Sequence, residues 1–227
     1  MNILIVGHGR MGRLVEANAA AHGCGVAGII DDESGWAAFD QGHFDAAEVA
    51  IEFSYPEAVR PNLARLAARG TNAVIGTTGW QTDEAGVKQI AADAGIGVLA
   101  AANFALGMYV FRAVVEEAAR RFAALEDVGA WIHETHHAAK KDAPSGTALL
   151  LQQVMDAAGY GRPIDVSSTR AGSFPGTHVV GFDGPAETVT LTHAVRDRAV
   201  FAHGALQAAK WLRGRQGWYG IGDMFKG

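Results

Sequence analysis

The sequence predicts an α/β fold that combines a doubly wound parallel sheet with a central α+β layer. In the first hundred residues, short and almost continuously apolar runs alternate with helical patterns, which is typical of parallel strands covered on both faces. A glycine-rich loop follows the first of these runs. After Asn103 the order changes, and strands separated by one helix are followed by further strands that can pair with them.

The first part of the chain supplies five predicted strands. They are Asn2–Val6, Gly25–Ile30, Glu48–Phe53, Asn72–Ile75 and Ile96–Ala100. Apolar residues at helical spacing predict three helices between these strands. The helices run from the glycine-rich loop to about His22, over Pro56–Arg69 and over Thr82–Ala94.

The second part of the chain begins with a long amphipathic helix, predicted over Leu106–Leu125. The elements predicted after it are a strand at Val128–His137, a helix at Ser145–Ala158, strands at His178–Gly181 and Glu187–Ala194, and a helix at about Ala199–Arg213. The segment Gly159–Gly176 is rich in Gly, Pro and Ser and is predicted to be a loop.

Composition and charge exclude several classes of function. The chain has 227 residues, a formal net charge of -5 and no basic block, so nothing favours binding to nucleic acid or to an anionic membrane. No apolar run approaches the roughly 20 residues of a membrane helix, and the first residues are typical of a strand, not of a signal peptide. The single cysteine, Cys24, favours a reducing compartment, so we expect a cytoplasmic protein.

The glycine-rich loop predicts a dinucleotide site of the Rossmann type. The loop consists of Gly7, His8, Gly9, Arg10, Met11 and Gly12, and it joins the first strand to the first helix. Glycines let the backbone approach a pyrophosphate, and the helix N-terminus supplies N–H groups and the positive end of a dipole.

Asp31 and Asp32 end the second strand, where an acidic residue is expected to bind the ribose hydroxyls. The pattern does not decide which of the two does so. No Arg or Lys follows closely to bind a 2′-phosphate, which favours NADH over NADPH. The alternative is a tight turn beside two solvated aspartates.

Two further loops end predicted strands. They are Gly76-Thr77-Thr78-Gly79 and Ala102-Asn103-Phe104. Ligands of open α/β sheets bind at the carboxyl ends of the strands, so these loops are expected to face the dinucleotide.

The segment from Glu134 to Ala148 concentrates groups suited to catalysis. His136, His137 and Lys140 can supply protons near neutral pH. Free N–H groups at the helix start near Ser145, together with the lysine, form a pocket suited to a carboxylate. The alternative is a basic surface loop. Most of the remaining histidines are expected to be structural, namely His8, His22, His43, His178, His193 and His203.

The run from His133 to His137 also matches His-Glu-x-x-His, a zinc-protease pattern. That pattern requires a helix, whereas this run continues a predicted strand. In an extended chain the two histidines lie about 13 Å apart, too far to share one ion. We therefore predict no metal site.

The same segment carries a family resemblance. Glu-x-His-His-x-x-Lys-x-Asp-x-Pro-Ser-Gly-Thr-Ala resembles the signature of the dihydrodipicolinate reductases, also named 4-hydroxy-tetrahydrodipicolinate reductases. Shorter matches follow the order of the family along the whole chain. They are the Gly7–Gly12 loop, Glu52-Phe53-Ser54, Gly76–Gly79, Ala102–Phe104, Arg170–Gly172, Pro175–His178, Thr190–His193 and Phe201–Ala205.

The resemblance implies a dinucleotide-binding domain over residues 1–104 and 206–227. It implies a central substrate-binding and oligomerisation domain over 105–205, whose sheet builds a homotetramer. The implied reaction is NAD(P)H-dependent reduction of the dehydrated form of 4-hydroxy-tetrahydrodipicolinate, a small cyclic dicarboxylate, in lysine and diaminopimelate biosynthesis. NADH is the expected cofactor, and NADPH could also be used.

The resemblance also implies roles for single residues. His136 and Lys140 would be the acid/base pair. The substrate would contact His137, Lys140, Ser145, Gly146 and Thr147. The nicotinamide side would be lined by Gly76, Thr77, Thr78, Ala102, Asn103 and Phe104, and Phe53 would also bind the cofactor. Two other functions remain open, a different two-domain NAD-dependent dehydrogenase of a small amino acid or carboxylate, and a non-catalytic NAD-sensing protein.

Overall fold

The computed structural model describes residues 1–226, and they form two compact units. Unit 1 comprises Met1–Leu106 and the chain from Ala199 onward, and unit 2 comprises Gly107–Arg198. The predicted boundary between residues 205 and 206 falls inside a continuous helix, Ala199–Leu212, whereas the two compact units divide before Ala199. Gly227, the last residue of the predicted first domain, lies outside the described residues.

The strands in chain order are β1 Asn2–Val6, β2 Gly25–Ile30, β3 Val49–Glu52, β4 Asn72–Ile75, β5 Gly97–Ala100, β6 Gly129–His136, β7 Ile164–Arg170, β8 Thr177–Asp183, β9 Thr188–Ala194 and β10 Gly217–Tyr219. The helices are α1 Arg10–Ala19, α2 Glu33–Asp40, α3 Val59–Ala68, α4 Glu84–Ala94, α5 Leu106–Phe122, α6 Gly146–Ala157 and α7 Ala199–Leu212. Within residues 1–226, no helix is both long and apolar enough to cross a bilayer.

Unit 1 is built on a six-stranded parallel sheet in the order β10-β5-β4-β3-β1-β2. All residues of β3 are buried, as expected for a central strand covered on both faces. The chain order reverses between β1 and β3, so the β1 and β3 loops open at the point where ligands bind such sheets. The Rossmann-type sheet expected from the sequence is confirmed.

Unit 2 holds a mixed four-stranded sheet in the order β7-β6-β8-β9. β6 pairs with β7 in parallel and with β8 antiparallel. Helices α5 and α6 pack on the same face of this sheet, where Phe111, Val115 and Leu151 meet Ile132 and Phe182. This packing places the end of β6 and the start of α6 in one core.

The expected loop at Gly159–Gly176 is wrong, because it contains β7. Ile164 and Val166 of β7 point to the core, while Asp165, Ser167 and Thr169 are exposed. Because every second residue is polar and exposed, this segment lacks the apolar run by which the other strands were predicted. Helix α2 and strand β10 were not expected from the sequence, and both occur in unit 1.

Candidate active site

The glycine loop of unit 1 has a geometry that only glycine allows. Gly7 has φ +86°, and a Cβ there would lie 2.5 Å from the carbonyl oxygen of Phe53. A Cβ on Gly12 would overlap the carbonyl oxygen of Gly7, so α1 starts in direct contact with the loop. Gly9 is the N-cap of α1, it faces open space, and no side chain caps this helix. The first N–H groups of α1 therefore suit a phosphate.

The two aspartates that follow β2 make different hydrogen bonds. Asp31 accepts a 2.7 Å hydrogen bond from the backbone N–H of His8, inside the glycine loop. Asp32 caps α2 by accepting from the N–H of Gly35 at 2.9 Å, and Ser34 donates to it at 2.7 Å. The Ser34 and Gly35 hydrogen bonds lower the pKa of Asp32. Asp31 is thus the better candidate for a ribose ligand.

A cavity of about 760 Å³ opens beside this loop, which is the size of a small-molecule site. Residues expected from the sequence form part of its lining, namely Gly7, Gly9, Asp31, Asp32 and Phe53. Trp36 and Arg65 also line the cavity and were not expected. The cavity, the uncapped helix start and Asp31 together fit the adenosine and pyrophosphate of a dinucleotide.

His8, Arg10 and Met11 were also expected to bind the cofactor, but they are not among the residues that line this cavity. The imidazole of His8 pairs with Glu16 of α1 at 2.7 Å between Nε2 and Oε2. Arg10 is exposed and Met11 is half-buried on the first turn of α1.

The loops after β3, β4 and β5 meet through aromatic packing. A Cβ on Gly76 would overlap the ring of Phe53, and the rings of Phe53 and Phe104 lie 6.1 Å apart. Phe104 is only 2% exposed, so its ring is part of the core against which these loops pack. Thr77 is buried, whereas Thr78, Ala102 and Asn103 are exposed and available to a ligand.

Glu52 is a buried carboxyl group that the sequence did not single out for function. It ends β3, directly before Phe53, and is 1% exposed. Burial raises the pKa of Glu52, although hydrogen bonds from Ser54 and Asn62 oppose this effect. The group thus joins the loop after β3 to Asn62 of α3, which lines the same cavity.

In unit 2, His136 ends β6 and is held by a buried carboxylate. Its Nδ1 is hydrogen-bonded to Glu134, which is 0% exposed. Arg170 faces His136 across the β6–β7 register and binds Glu134 with both guanidinium nitrogens, at 2.9 and 2.6 Å. The backbone N–H of Ser145 donates to the same carboxylate at 3.2 Å. Burial alone would raise the pKa of Glu134, but the Arg170 hydrogen bonds and the other donors lower it to about 2.

His178 completes this network, although most histidines outside the motif were expected to be structural. Its Nε2 lies 3.2 Å from the hydroxyl of Ser145, and its ring meets that of His136 edge-on at 5.1 Å. Burial and then the charges of His136 and, more weakly, Lys140 lower the pKa of His178 to about 4. His178 is therefore neutral at physiological pH.

The hydroxyl of Ser145 caps α6 by accepting from the N–H of Ala148 at 3.2 Å. Ser145 is 2% exposed, and its expected contact with substrate stays a prediction. Gly146 is exposed with open space around its Cβ position, and Thr147 is half-buried beside it. The N–H groups of this first turn suit an anion, and that of Gly146 already hydrogen-bonds Asp142 and lowers its pKa.

Lys140 and His137 lie on the turn between β6 and α6. The N–H of Lys140 bonds the carbonyl of His137 at 3.1 Å, and the Lys140 ammonium pairs with Asp142 at 2.7 Å. That pairing lowers the pKa of Asp142. The expected strand through the His-Glu-x-x-His run is confirmed, since His133 to His136 belong to β6.

Comparison with known proteins agrees with both halves of this description. The family model "Dihydrodipicolinate reductase, N-terminus" matches residues 1–104, and the corresponding C-terminal model matches residues 107–225. The 4-hydroxy-tetrahydrodipicolinate reductase of Xanthomonas campestris pv. campestris (strain B100) is 40% identical over 99% of this chain and 97% of its own. That of Natronomonas pharaonis is 35% identical over 98% of this chain and 99% of its own.

A solved structure, dipicolinate-bound dihydrodipicolinate reductase from Paenisporosarcina sp. TG-14, superposes with a TM-score of 0.81 at 19% identity, covering 99% of both chains. This likeness supports the fold. The fold and the sites of the two units define an oxidoreductase that uses a nicotinamide dinucleotide. Within that class, the chain belongs to the dihydrodipicolinate reductase family.

Proposed function

We propose that this protein reduces the dehydrated form of 4-hydroxy-tetrahydrodipicolinate to tetrahydrodipicolinate, with unit 1 binding the cofactor and unit 2 the substrate. The observation that carries the proposal is the buried Glu134 carboxylate, which holds both the imidazole of His136 and the N-terminal end of α6. This arrangement supports a proton donor at His136 and a site for an anionic ring at the start of α6. Membership of the family supports the same substrate.

The substrate is a cyclic imine dicarboxylate, and its reduction adds one hydride and one proton. The reduced nicotinamide supplies the hydride when it is bound. The chain supplies the proton, and His136 is the donor because Glu134 accepts from Nδ1 and thereby leaves Nε2 to face the substrate. Glu134 also stabilises the imidazolium before transfer.

The N–H groups of Gly146 and Thr147 bind one carboxylate, and the dipole of α6 adds to the attraction. Lys140 binds the substrate with its ammonium group and assists as the second acid/base group, next to His137. Because Lys140 pairs with Asp142 in the free protein, the substrate carboxylate competes with Asp142 for it. Contacts at both ends of the substrate ring hold in place the carbon that receives the hydride.

The cofactor we propose is NADH, with NADPH as the weaker ligand. Asp31 binds the adenosine ribose, since Asp32 is committed to capping α2. Thr78, Ala102 and Asn103 remain the exposed residues of the nicotinamide side, with Phe53, Gly76 and Phe104 packed behind them.

We also propose a homotetramer built through the open face of the unit 2 sheet. Both helices of unit 2 pack on one face, which leaves Trp131, Val179 and the threonines of β9 on the other. Size-exclusion chromatography with light scattering should give four times the 23.8 kDa chain mass. A monomer mass at working concentration would contradict this assembly.

The test of the reaction is a coupled assay. The hydroxy precursor is formed enzymatically from its aldehyde and pyruvate, and oxidation of NADH is followed by its absorbance. We expect precursor-dependent oxidation that pyridine-2,6-dicarboxylate, a flat analogue of the substrate, inhibits competitively. NADH binding without precursor-dependent oxidation would favour an NAD-sensing protein. Oxidation with other amino acids or carboxylates, unaffected by the analogue, would favour a different dehydrogenase.

A further inference from the structure

We infer that Glu33 determines the choice of cofactor, because it neutralises Arg65, a cation placed to bind the 2′-phosphate of NADPH. The inference rests on the proposed cofactor site in unit 1 and is independent of the chemistry in unit 2. It assigns Arg65 and Glu33 as specificity-determining residues, on two elements that the glycine-loop motif does not include.

The geometry of the ion pair shows how the cation is held. Arg65 lies on α3, and Glu33 is the first residue of α2. Their side chains form a two-pronged contact, with Nη1–Oε2 at 3.1 Å and Nη2–Oε1 at 2.6 Å. Asp40 approaches the same guanidinium at 3.5 Å. The two guanidinium nitrogens that could donate hydrogen bonds to phosphate oxygens are therefore already bonded to the Glu33 carboxylate.

Trp36 fixes the position of the guanidinium beside the cavity. The Arg65 guanidinium carbon lies 5.2 Å from the centre of the Trp36 ring, which is within the range of a cation–π contact. Trp36 is buried, so its ring gives the guanidinium a fixed surface on which to stack. Loss of Glu33 would leave the guanidinium stacked on Trp36, with Asp40 still 3.5 Å from Nη2 and the N–H donors that Glu33 had bound available to a phosphate.

The charges that line the cavity explain why the site disfavours a phosphate as it stands. Asp31, Asp32, Glu33 and Glu57 are the acidic residues of the lining, and Arg65 is the basic one. A phosphate monoester brings a charge of about -2 at neutral pH. The hydrogen bond from Arg65 lowers the pKa of Glu33, so Glu33 stays ionised and the dianion meets a net negative surface.

The pair contributes little to folding, which makes the experiment practical. The Glu33 side chain is 77% exposed and that of Arg65 is 34% exposed. Exposed ion pairs contribute little to stability, because solvent screens the charges and ordering the side chains costs entropy. A variant that removes one charge should therefore fold normally, and its cofactor affinities can be compared directly with those of the wild-type protein.

The experiment measures dissociation constants of NADH and NADPH by isothermal titration for the wild type and for Glu33→Gln. A charge-assisted hydrogen bond to phosphate contributes about 1.5–3 kcal/mol, so the Kd of NADPH should fall by at least about tenfold. The Kd of NADH should change by less than about threefold, since it lacks the phosphate. The gain for NADPH should shrink as salt is raised.

Two controls isolate the role of Arg65. Glu57→Gln removes an equal charge from the same cavity without freeing Arg65, whose partners are Glu33 and Asp40, and it should improve NADPH binding much less. Glu33→Gln combined with Arg65→Gln should lose the gain. The inference is overturned by an unchanged NADPH-to-NADH ratio in Glu33→Gln, by an equal gain in Glu57→Gln, or by a gain that survives loss of Arg65. If neither cofactor binds the wild type, the cofactor site itself fails, and this inference with it.

Discussion

Replacing Glu134 with Gln separates the charge of this buried group from its shape. Glu134 accepts from Arg170, from the Ser145 N–H and from His136 Nδ1, so it is saturated with donors. A glutamine keeps the size but offers one NH₂, which must face Arg170 together with either the Ser145 N–H or His136. That leaves a donor against a donor in a site that is 0% exposed.

The structure allows the size of the effect on stability to be worked out. The pKa of Glu134 falls from 4.5 to about 2, which corresponds to about 3 kcal/mol of stability at neutral pH. Because the folded pKa is the lower one, this contribution is present above pH 4.5 and is lost as pH falls towards 2. Breaking a buried ion pair costs about 3–5 kcal/mol, which agrees with this figure.

The effect on catalysis follows from the tautomer of His136. When the amide NH₂ faces His136, Nδ1 loses its acceptor and the imidazole can place its proton on either nitrogen. In either orientation the neutral amide lacks the charge that would stabilise an imidazolium, so turnover should fall by about 100-fold or more. NADH affinity should be unchanged, because unit 1 is not altered. The assay combines thermal unfolding, titration of NADH and turnover of the coupled substrate.

Two further variants make the Glu134→Gln experiment decisive. Glu116→Gln breaks a half-exposed ion pair with Arg120 and should cost less than about 1 kcal/mol, with no loss of turnover. Adding Arg170→Gln to Glu134→Gln should recover part of the stability, since no charge remains unpaired, but not the turnover. Normal turnover in Glu134→Gln, or full recovery in the double variant, would refute a positioning role for Glu134.

Three further results are expected. Gly7→Ala should abolish NADH binding in a titration, since its Cβ would lie 2.5 Å from the Phe53 carbonyl oxygen at φ +86°. Asp31→Asn should weaken NADH binding at least about fivefold, whereas Asp32→Asn, which alters a helix cap, should leave binding intact. His178→Gln should flatten the dependence of the unfolding midpoint on pH between 6.5 and about 4, because the unfolded state binds the extra proton there and stability falls as pH falls. A retained slope would contradict the assignment to His178.

The sequence predicted the parts of the fold that depend on apolar periodicity. Strands β1, β2 and β4 have the expected bounds, because each is a short, mostly apolar run that is followed directly by a glycine or an aspartate. Strand β7 could not be recognised in the same way, since half of its residues are polar and face solvent. Helix α2 is only eight residues long and offers a weak periodic signal.

The residues that sequence reasoning missed follow from these missed elements. Arg170 lies on β7, so its position opposite His136 depends on a strand pairing that was not expected. Trp36 lies on α2, and its contact with Arg65 joins two helices that are distant in the chain. The motif residues were found because the chemistry they perform requires them close together in sequence, whereas their supporting partners are brought in by the tertiary fold.

Turnover of His136→Gln compared with His133→Gln tests the central claim most directly. Both histidines lie on β6, but His133 contacts Ser167 through Nδ1 at 2.8 Å, away from the Glu134 carboxylate. With NADH saturating and the coupled substrate supplied, His136→Gln should lose at least about 100-fold in kcat, while His133→Gln stays near wild type. Equal turnover of the two variants would mean that the proton donor of this reductase lies elsewhere.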